Sequence, residues 1–504
     1  MIKRLYEQME QKREVRQALI ELKSAVKEKE SKKLLQQYFD ENPQILLELL
    51  VHEDAKVRKN AALVLGSLRG ATIPEQLWQT YEKESQLFVK SDYLKALAAF
   101  DCSPYLDAMK ARQKELEELL TDQADESAAK HLRQELTELR NLLFRKEKHS
   151  GHSFTGYSKP VDFLLMTNKG CEKLLAEQVK EALPERSFAA FRPVKGGVLV
   201  EQAAVSSVLS IRTYRELLFC LKGSKKMPAE TAAELLLQTD LMELLETLHE
   251  GAAPYYFRID CKSKMELSER SAFCKRLAAE LEEKSGGLLR NAPSAYEIEI
   301  RFVENKEGSF YPLLKLHTLP DKRFAYRKYT VAASMAPVQA AICMELAAPY
   351  LKENARILDP FCGVGTMLLE RNYRLHANTL YGIDLFAPAI EGARENAEIA
   401  GVPAHFINRD SMTFTHKYLF DEIVTNFPVQ GRNLNAHELD CLYGQFLTKA
   451  EKLLTPDGTI LLYSHDRGYA KKHLRMHPAW KLEKEWCISE KEGAYLFYIV
   501  RVNG

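Results

Sequence analysis

The sequence predicts a multidomain chain with an all-α part, an α+β part and a C-terminal α/β part built on a doubly wound sheet. The first ~150 residues are dense in Leu, Glu, Lys and Ala, with helical periodicity and almost no glycine. Strand-like and helix-like runs then alternate along the chain. Residues 356–366 have the pattern of a strand, a glycine turn and a helix start. A length of 504 residues suits about three domains.

The composition narrows the classes of function. The chain has 71 Lys and Arg against 70 Asp and Glu, so its net charge of +1 predicts no general affinity for polyanions, and any nucleic-acid contact must come from a local patch. The nine cysteines are scattered without metal-ligand spacing, which favours reduced thiols and predicts no metal site. No apolar run is long enough to cross a membrane. We therefore expect a cytoplasmic protein.

The all-α part is predicted to span residues 1–150. Within it, residues 54–66 resemble the second helix of a HEAT repeat, in which Asp54 and Arg58 would tie neighbouring repeats together and small residues would let helices pack closely. This resemblance implies a short HEAT-like solenoid that docks RNA or a protein partner. A helical cap that only stabilises its neighbour is the alternative. The predicted partner helices are residues 42–51, 74–83 and 91–100.

A polar linker at residues 145–160 separates the helical part from the α+β part, because it contains Gly, Ser and Pro and shows no periodicity. The α+β part is predicted to span residues 155–320. Its predicted helices are residues 170–179, a helix that includes 211–215, and residues 269–284. Its predicted strands are residues 161–166, 196–200, 217–221, 255–260 and 296–302.

The order of these elements resembles the N-terminal half of THUMP-containing RNA methyltransferases, with a small ferredoxin-like piece followed by the THUMP fold. That resemblance implies an RNA-binding role for this part of the chain. The residues that carry it are Gly170, Glu172, Leu174, Leu175, Gly196, Gly197, Val198, Arg212 and Thr213.

Residues 321–329 connect this part to the C-terminal part and interleave four cations with three aromatic rings. Such a stretch can pair with phosphates and stack an unpaired base, as proteins do with single-stranded RNA. A basic connector whose rings pack against the domain is the other interpretation. The residues expected to contact RNA are Lys322, Arg323, Tyr326, Arg327 and Lys328.

The C-terminal part, residues 325–504, is predicted to hold a nucleotide-binding corner. An apolar run ends at Asp359, and Gly363 and Gly365 follow, so that backbone amides can approach a ligand at a helix N-terminus. No Gly-Lys-Ser/Thr follows, which argues against a P-loop, and the third glycine of a dinucleotide fingerprint is missing. Two later strand-like runs end in Asp384 and Asp410. The first acid would bind ribose hydroxyls, although both could instead be ordinary turn residues.

The next strand-like run leads into Asn426-Phe427-Pro428-Val429. This succession resembles the class I S-adenosylmethionine-dependent methyltransferases that methylate exocyclic amines of nucleobases, with Asn426, Phe427 and Pro428 at the catalytic positions. The family has an aromatic at the place of Val429, so Phe427 or Phe361 would have to stack the base. The resemblance implies a Rossmann-like fold with a seven-stranded sheet, whose last two antiparallel strands would lie at residues 485–489 and 494–501. It assigns cofactor binding to Asp359, Phe361, Gly363, Gly365, Thr366, Asp384, Asp410 and Asn426.

Two other candidates near the corner are interpreted as structural. Cys362 has no paired histidine and is expected to be a small packing residue rather than a nucleophile. His465 and Asp466 follow a predicted strand and suggest an acid–base pair, but methylation of an amine needs little such help. We therefore expect both to be loop residues.

The resemblance implies a methyltransferase that acts on the N2 amine of a guanine in tRNA or rRNA, with catalysis by positioning and desolvation. A second hypothesis is a scaffold that keeps the S-adenosylmethionine pocket and the RNA-facing domain but does not methylate, because the tetrapeptide is altered. A third is an adenine-N6 DNA methylase, which explains neither the THUMP-like half nor the absence of a DNA-reading element.

Overall fold

The computed structural model describes the chain except residues 27, 123–125, 147–150, 185–187, 224–225, 333, 432–433 and 503–504. The described chain forms two compact units. One comprises Met1–Gly151 with Ala292–Tyr296, and the other His152–Asn291 with Glu297–Gly504. Part of the expected linker, residues 147–150, lies outside the described residues. None of the described helices combines the length and hydrophobicity needed to cross a bilayer.

The first unit is helical, as its periodicity predicts. Each predicted helix of this region overlaps an observed one, although the run at 42–51 is a short α-helix that continues as a 3-10 turn. The α-helices are α1 (Ile2–Glu10), α2 (Val15–Ala25), α3 (Lys29–Glu41), α4 (Gln44–Leu47), α5 (Ala55–Leu65), α6 (Ile73–Lys83), α7 (Leu87–Leu97), α8 (Leu106–Asp122) and α9 (Glu126–Lys146).

Helix α5 has the local contacts that its sequence predicts. The Asp54 carboxylate caps it by accepting a hydrogen bond of 2.8 Å from the backbone N–H of Lys56. The Arg58 guanidinium makes a two-pronged ion pair with Glu84, just beyond α6. A Cβ on Gly66 would lie 2.7 Å from the Cα of Ala96, so glycine allows α5 and α7 to pack closely. The HEAT-like interpretation itself stays a prediction.

The second unit begins with an α+β part whose main sheet has eight strands in the order β3-β4-β2-β5-β10-β9-β7-β8. Strands β1 and β6 form a separate pair. The strands are β1 (Ser153–Phe154), β2 (Pro160–Met166), β3 (Ala190–Val194), β4 (Gly197–Ala204), β5 (Glu216–Cys220), β6 (His249–Glu250), β7 (Tyr255–Lys262), β8 (Leu289–Asn291), β9 (Ile298–Glu304) and β10 (Phe310–Leu316). The helices are α10 (Glu172–Ala182), α11 (Ala232–Leu237), α12 (Leu241–Leu248) and α13 (Leu267–Lys284).

The helix predicted to include residues 211–215 is wrong, because these residues form a loop. Their backbone groups find partners outside a helix. The carbonyls of Ile211 and Tyr214 accept hydrogen bonds from the Arg323 guanidinium, and the N–H of Arg215 donates to the carbonyl of Met166. Residues 211–215 are therefore a loop whose backbone polar groups form hydrogen bonds with residues that are distant in the sequence.

The C-terminal part is a three-layer α/β domain, and its seven-stranded sheet confirms the predicted strand count. The strand order is β13-β12-β11-β14-β15-β17-β16, with β17 antiparallel to both neighbours and the other pairs parallel. The strands are β11 (Arg356–Asp359), β12 (Thr379–Asp384), β13 (His405–Asn408), β14 (Phe420–Asn426), β15 (Leu454–Ser464), β16 (Trp480–Ser489) and β17 (Ala494–Arg501). The helices are α14 (Pro337–Ala347), α15 (Thr366–Arg374), α16 (Ala387–Ala400), α17 (Ala436–Leu453) and α18 (Arg467–Met476).

The strand order reverses at β11, which has β12 on one side and β14 on the other. In open α/β sheets, ligands bind in the crevice outside the carboxyl ends of the strands at such a switch point. Asp359, Asp384 and Asn426 are the last residues of these three strands. The fold therefore brings residues from distant parts of the sequence to one edge of the sheet.

Candidate active site

The glycine turn and the second strand meet as the sequence predicts. Gly363 and Gly365 adopt positive φ angles of 53° and 81°, which side chains with a Cβ rarely tolerate. The Asp384 carboxylate accepts hydrogen bonds of 2.9 Å from the backbone N–H of Gly363 and of 2.9 Å from that of Phe386. The acidic end of β12 is therefore bonded directly to the turn that follows β11.

A cavity of about 760 Å³ opens at this edge of the sheet. Gly365 is absent from its lining, because a Cβ at that position would face the ring of Phe406 at 3.1 Å. Gly365 instead serves as the N-cap residue of α15. The predicted site residues that do line the cavity are Asp359, Phe361, Gly363, Thr366, Asp384, Asp410, Asn426, Phe427 and Pro428.

Three of these lining residues present buried polar atoms that have no hydrogen-bond partner among the described residues: Oδ2 of Asp359, Oγ1 of Thr366 and Oδ1 of Asn426. We call them the three unpaired groups. Buried polar atoms are nearly always paired in folded proteins, and leaving one unpaired costs about 1–3 kcal/mol. Three such atoms around one cavity indicate a site that is completed by a polar ligand.

Asp359 is the most buried acid of the site, with 1% of its surface exposed. Its Oδ1 accepts hydrogen bonds from the Thr425 hydroxyl at 2.6 Å and from the backbone N–H of Phe361 at 3.0 Å. Burial raises the pKa of this carboxyl to about 7, and the charge of nearby Asp384 adds to the increase. A cationic ligand beside Oδ2 would reverse that shift and favour the ionised form.

Asp410 lies at the exposed rim of the cavity, after β13. Its Oδ1 accepts a hydrogen bond of 2.8 Å from the backbone N–H of Met412, so the side chain also caps a short 3-10 turn. Asp410 is therefore a turn residue that also lines the cavity, and its binding of the cofactor stays a prediction.

The cavity also contains residues that the sequence interpretation did not assign to it. Gln339 on α14 donates a hydrogen bond of 2.8 Å to the hydroxyl of Tyr463, and both residues line the cavity. His465, interpreted from the sequence as a loop residue, lines it as well. The available signal was its place just after β15, the strand next to β14.

Phe427 is one of the two rings that the sequence offered for stacking the target base. It is 1% exposed and its ring stacks on Tyr443 with centroids 4.0 Å apart, so its ring is part of the core and a base cannot stack on it. Of the two alternatives only Phe361 is left, and the catalytic position of Phe427 stays a prediction. Phe361 is half-buried and lines the cavity, whereas Val429 is 44% exposed.

The basic connector, residues 321–329, is less accessible to RNA than predicted. Arg323 and Tyr326 are buried, and their polar atoms are bonded within the protein, so the prediction that they contact RNA is wrong for these two residues. Arg327 is half-buried and donates to the carbonyl of Met335 at 3.0 Å. Lys322 and Lys328 are exposed, and their contact with RNA stays a prediction.

Arg323 and Tyr326 belong to what we call the connector cluster: Arg212, Arg323, Tyr326 and Glu370. The Arg212 guanidinium pairs with the buried Glu370 carboxylate at 2.7 Å and 2.8 Å and donates to the carbonyl of Arg323 at 2.6 Å. The Tyr326 hydroxyl donates to Glu370 at 2.7 Å. The rings of Phe324 and Tyr373 flank Arg212 at 4.5 Å and 4.4 Å. This cluster joins the eight-stranded part to α15.

Cys362 is buried beside Gly382, and burial raises the pKa of its thiol well above the usual value. A thiol held in this neutral form is a poor nucleophile, which agrees with its interpretation as a packing residue. Among the described residues there is no group of three or more His, Cys, Asp or Glu side chains that could hold a metal ion.

The C-terminal part of the chain matches a known protein family. Residues 325–490 match the family model of the RMKL-like methyltransferase domain. The chain contains an S-adenosylmethionine-dependent methyltransferase domain. The matched residues include the glycine turn, Asp384, Asp410 and Asn426. The match and the geometry of the site therefore concern the same residues.

Relatives of known activity cover different shares of the chain. A tRNA (guanine(6)-N2)-methyltransferase of Thermus thermophilus is 28% identical over 319 residues, which are 61% of this chain and 90% of the relative. A tRNA1(Val) (adenine(37)-N6)-methyltransferase of Dyadobacter fermentans is 23% identical over 193 residues, 35% of this chain and 80% of the relative. The crystal structure of TrmN from Thermus thermophilus superposes with a TM-score of 0.52 at 23% identity, covering 68% of this chain and 99% of TrmN. That structure shares the fold.

Proposed function

We propose that this protein is an S-adenosylmethionine-dependent RNA methyltransferase that modifies the N2 amine of a guanine in tRNA or rRNA. The observation that carries methylation of an amine is the amide oxygen of Asn426, which is buried and unpaired in a residue that lines the cavity at the end of β14. An amide oxygen accepts a hydrogen bond from an N–H group, so it suits an amine substrate. The proposed domain boundaries remain residues 1–150, 155–320 and 325–504.

The residues of the corner fit the cofactor, which supplies a methyl group on a positively charged sulfur. The carboxylates of Asp384 and Asp410 would hold its ribose and adenine ends, and the bare backbone of Gly363 would allow close approach. Asp359 and Thr366 offer two of the three unpaired groups to its amino acid end. An ionised Asp359 would attract the ammonium group of that end.

Asn426 would orient the target amine. Its Oδ1 would accept one N–H of the exocyclic amine and so point the nitrogen lone pair towards the methyl group. Of the two rings that the sequence offered, Phe361 remains available to contact the base, because Phe427 is held in the core. A base reaches such a cavity only when it is flipped out of its stack.

The relative that aligns over 61% of the chain supports RNA and guanine, since its alignment must include part of the eight-stranded region as well as the methyltransferase domain. The exposed Lys322 and Lys328 beside the connector cluster would contact phosphates. The helical N-terminal part would dock the RNA or a protein partner.

The test is methyl transfer from labelled S-adenosylmethionine to total RNA from cells that lack the protein, followed by nucleoside mass spectrometry. The proposal expects N2-methylguanosine with the wild type and almost none with Asn426→Ala. DNA from the same cells serves as the comparison substrate for the DNA methylase hypothesis. Binding of the cofactor without any incorporation would instead support the scaffold hypothesis.

A second candidate is methylation of the N6 amine of adenine in RNA. The adenine-N6 relative supports it, although its alignment covers 35% of this chain. An acceptor such as Asn426 suits either amine, so this residue alone does not distinguish guanine N2 from adenine N6 as the target. Nucleoside analysis distinguishes them, because N6-methyladenosine and N2-methylguanosine separate cleanly in the same digest.

A further inference from the structure

The fold brings His465 and Asn426 to one cavity, although they are 39 positions apart in the sequence. Strands β14 and β15 are parallel neighbours, and Asn426 pairs in register with Tyr463. His465 comes two residues after Tyr463, just beyond the end of β15. Both line the cavity that holds the unpaired oxygen of Asn426.

One hydrogen bond fixes which ring nitrogen of His465 carries the proton. Nδ1 lies 3.0 Å from the backbone carbonyl oxygen of Glu492, in the turn between β16 and β17. A carbonyl oxygen can only accept, so Nδ1 must donate. In the neutral ring, Nε2 is then an acceptor, and no hydrogen bond of Nε2 is found among the described residues. Tyr463 contacts the ring edge-on, with centroids 5.4 Å apart.

An amine that gains a methyl group must lose a proton. Asn426 can accept a hydrogen bond but its neutral amide does not hold a proton at ordinary pH, so another group has to take it. Among the described residues that line the cavity, His465 is the one histidine. Carboxylates also line the cavity, and the most buried of them is Asp359, which is bonded to Thr425 and lies beside the Asp384 corner.

We propose that His465 is a catalytic residue whose Nε2 accepts the proton released by the target amine, a role that rests on the proposed function. The nitrogen lone pair forms the new N–C bond, the C–S bond to the methyl group breaks, and its electron pair stays on sulfur. The proton that leaves nitrogen goes to Nε2 of His465. Later loss of that proton to solvent at the exposed ring restores the neutral form.

Several titratable groups lie near His465. Asp466 is adjacent in the chain and interacts with the ring electrostatically, and Glu492 offers its backbone carbonyl to Nδ1. Tyr463 faces the ring from β15. Asp359, Asp384, Asp410 and Arg409 line the rest of the cavity. A variant of Asp359 must therefore be measured alongside any variant of His465.

The kinetic test compares the pH dependence of kcat in the wild type, His465→Gln and Asp359→Asn. An imidazole changes charge between about pH 5 and 8, so the wild-type kcat should fall on the acid side of this range. The inference expects His465→Gln to lose roughly 100-fold in kcat and to lose that acid limb, while its affinity for the cofactor stays unchanged. His437→Gln, an exposed histidine at the start of α17, is the control and should behave as the wild type.

A second measurement needs no turnover. Nitrogen-15 NMR of the histidine-labelled chain, with His465→Gln to assign the signal, should show the Nδ1–H tautomer at alkaline pH. A proton on Nε2, or an unchanged kcat and pH profile in His465→Gln, would overturn this inference and leave the proposed function intact. Loss of the acid limb in Asp359→Asn alone would assign the proton to Asp359. Absence of methyl transfer by the wild type would overturn both.

Discussion

Helix α15 carries one member of each of two buried polar clusters, and the two members differ in their pairing. Thr366, the first residue of α15, lines the cavity, and its buried hydroxyl has no hydrogen-bond partner among the described residues. Glu370, one turn later, has both carboxylate oxygens bonded to Arg212, and one also to Tyr326. Polar groups that serve the fold are paired within the protein, whereas the groups left unpaired mark where a ligand belongs.

The largest effect on stability is expected in the connector cluster. Glu370→Ala should lower the free energy of unfolding by about 3 kcal/mol, because it leaves the Arg212 guanidinium without its partner in a largely buried site. The double variant Arg212→Met with Glu370→Leu should recover much of this loss. Urea unfolding measures both. Glu490→Ala, which removes the exposed partner of Lys169, is the control and should change little.

If Glu370→Ala unfolds at the same urea concentration as the wild type, the connector cluster does not hold the two parts of the second unit together. If the double variant is as unstable as Glu370→Ala, the lost stability comes from packing rather than from the unpaired charge of Arg212.

The largest effect on activity is expected at the three unpaired groups. Asn426→Ala should lower kcat by roughly 100- to 1,000-fold, since a positioned polar group of an active site contributes about that much. Its free energy of unfolding should hardly change, because the amide oxygen has no partner to lose. Methyl transfer and urea unfolding of the same preparation check both statements. A stability loss equal to that of Glu370→Ala would remove the distinction between the clusters.

The raised pKa of Asp359 should make the stability of the protein depend on pH. Its folded-state pKa of about 7 lies above the usual value of 3.8, so the folded state binds the proton more tightly than the unfolded state. Its stabilising contribution is therefore fully present below about pH 4 and is lost as the pH rises through about 7. Relative to Asp359→Asn, the cofactor-free wild type should lose about 4 kcal/mol over this range. Parallel stability curves of the two proteins would contradict the assignment.

The smallest effects come from a matched pair of hydroxyl deletions. Tyr326→Phe removes a hydroxyl that donates to Glu370 and should cost about 1–2 kcal/mol of stability. Thr366→Val removes a hydroxyl without a partner among the described residues and should be neutral within about 0.5 kcal/mol. Thr366→Val should nevertheless weaken cofactor binding, which Tyr326→Phe should not. Thermal unfolding and calorimetry on both variants test the contrast, and equal stability losses would refute it.

The sequence was sufficient to predict most elements of the second unit and the meeting of Gly363 with Asp384, because these depend on local patterns and on the switch point of a parallel sheet. It did not predict that Arg323 and Tyr326 are buried, because their partners Ile211, Tyr214 and Glu370 are far away in the chain. Distant partners also explain the loop at residues 211–215, whose carbonyls pair with a side chain.

Two residues of the cavity were misjudged for a related reason. The resemblance assigns Phe427 to a catalytic position, but the aromatic residues of α17 that surround it are visible only in the folded structure. His465 has no motif around it. Only the pairing of β14 with β15 brings it to the cavity that Asn426 also lines.

The most direct test of the central assignment is a calorimetric titration of the purified chain with S-adenosylmethionine. The three unpaired groups and the Asp384 corner predict one binding site per chain, and Asp384→Asn should weaken the affinity at least about tenfold by removing the charge beside the Gly363 turn. Thermal unfolding of the same variant verifies that it is folded. No heat of binding in the wild type, or equal affinity in Asp384→Asn, would contradict the account.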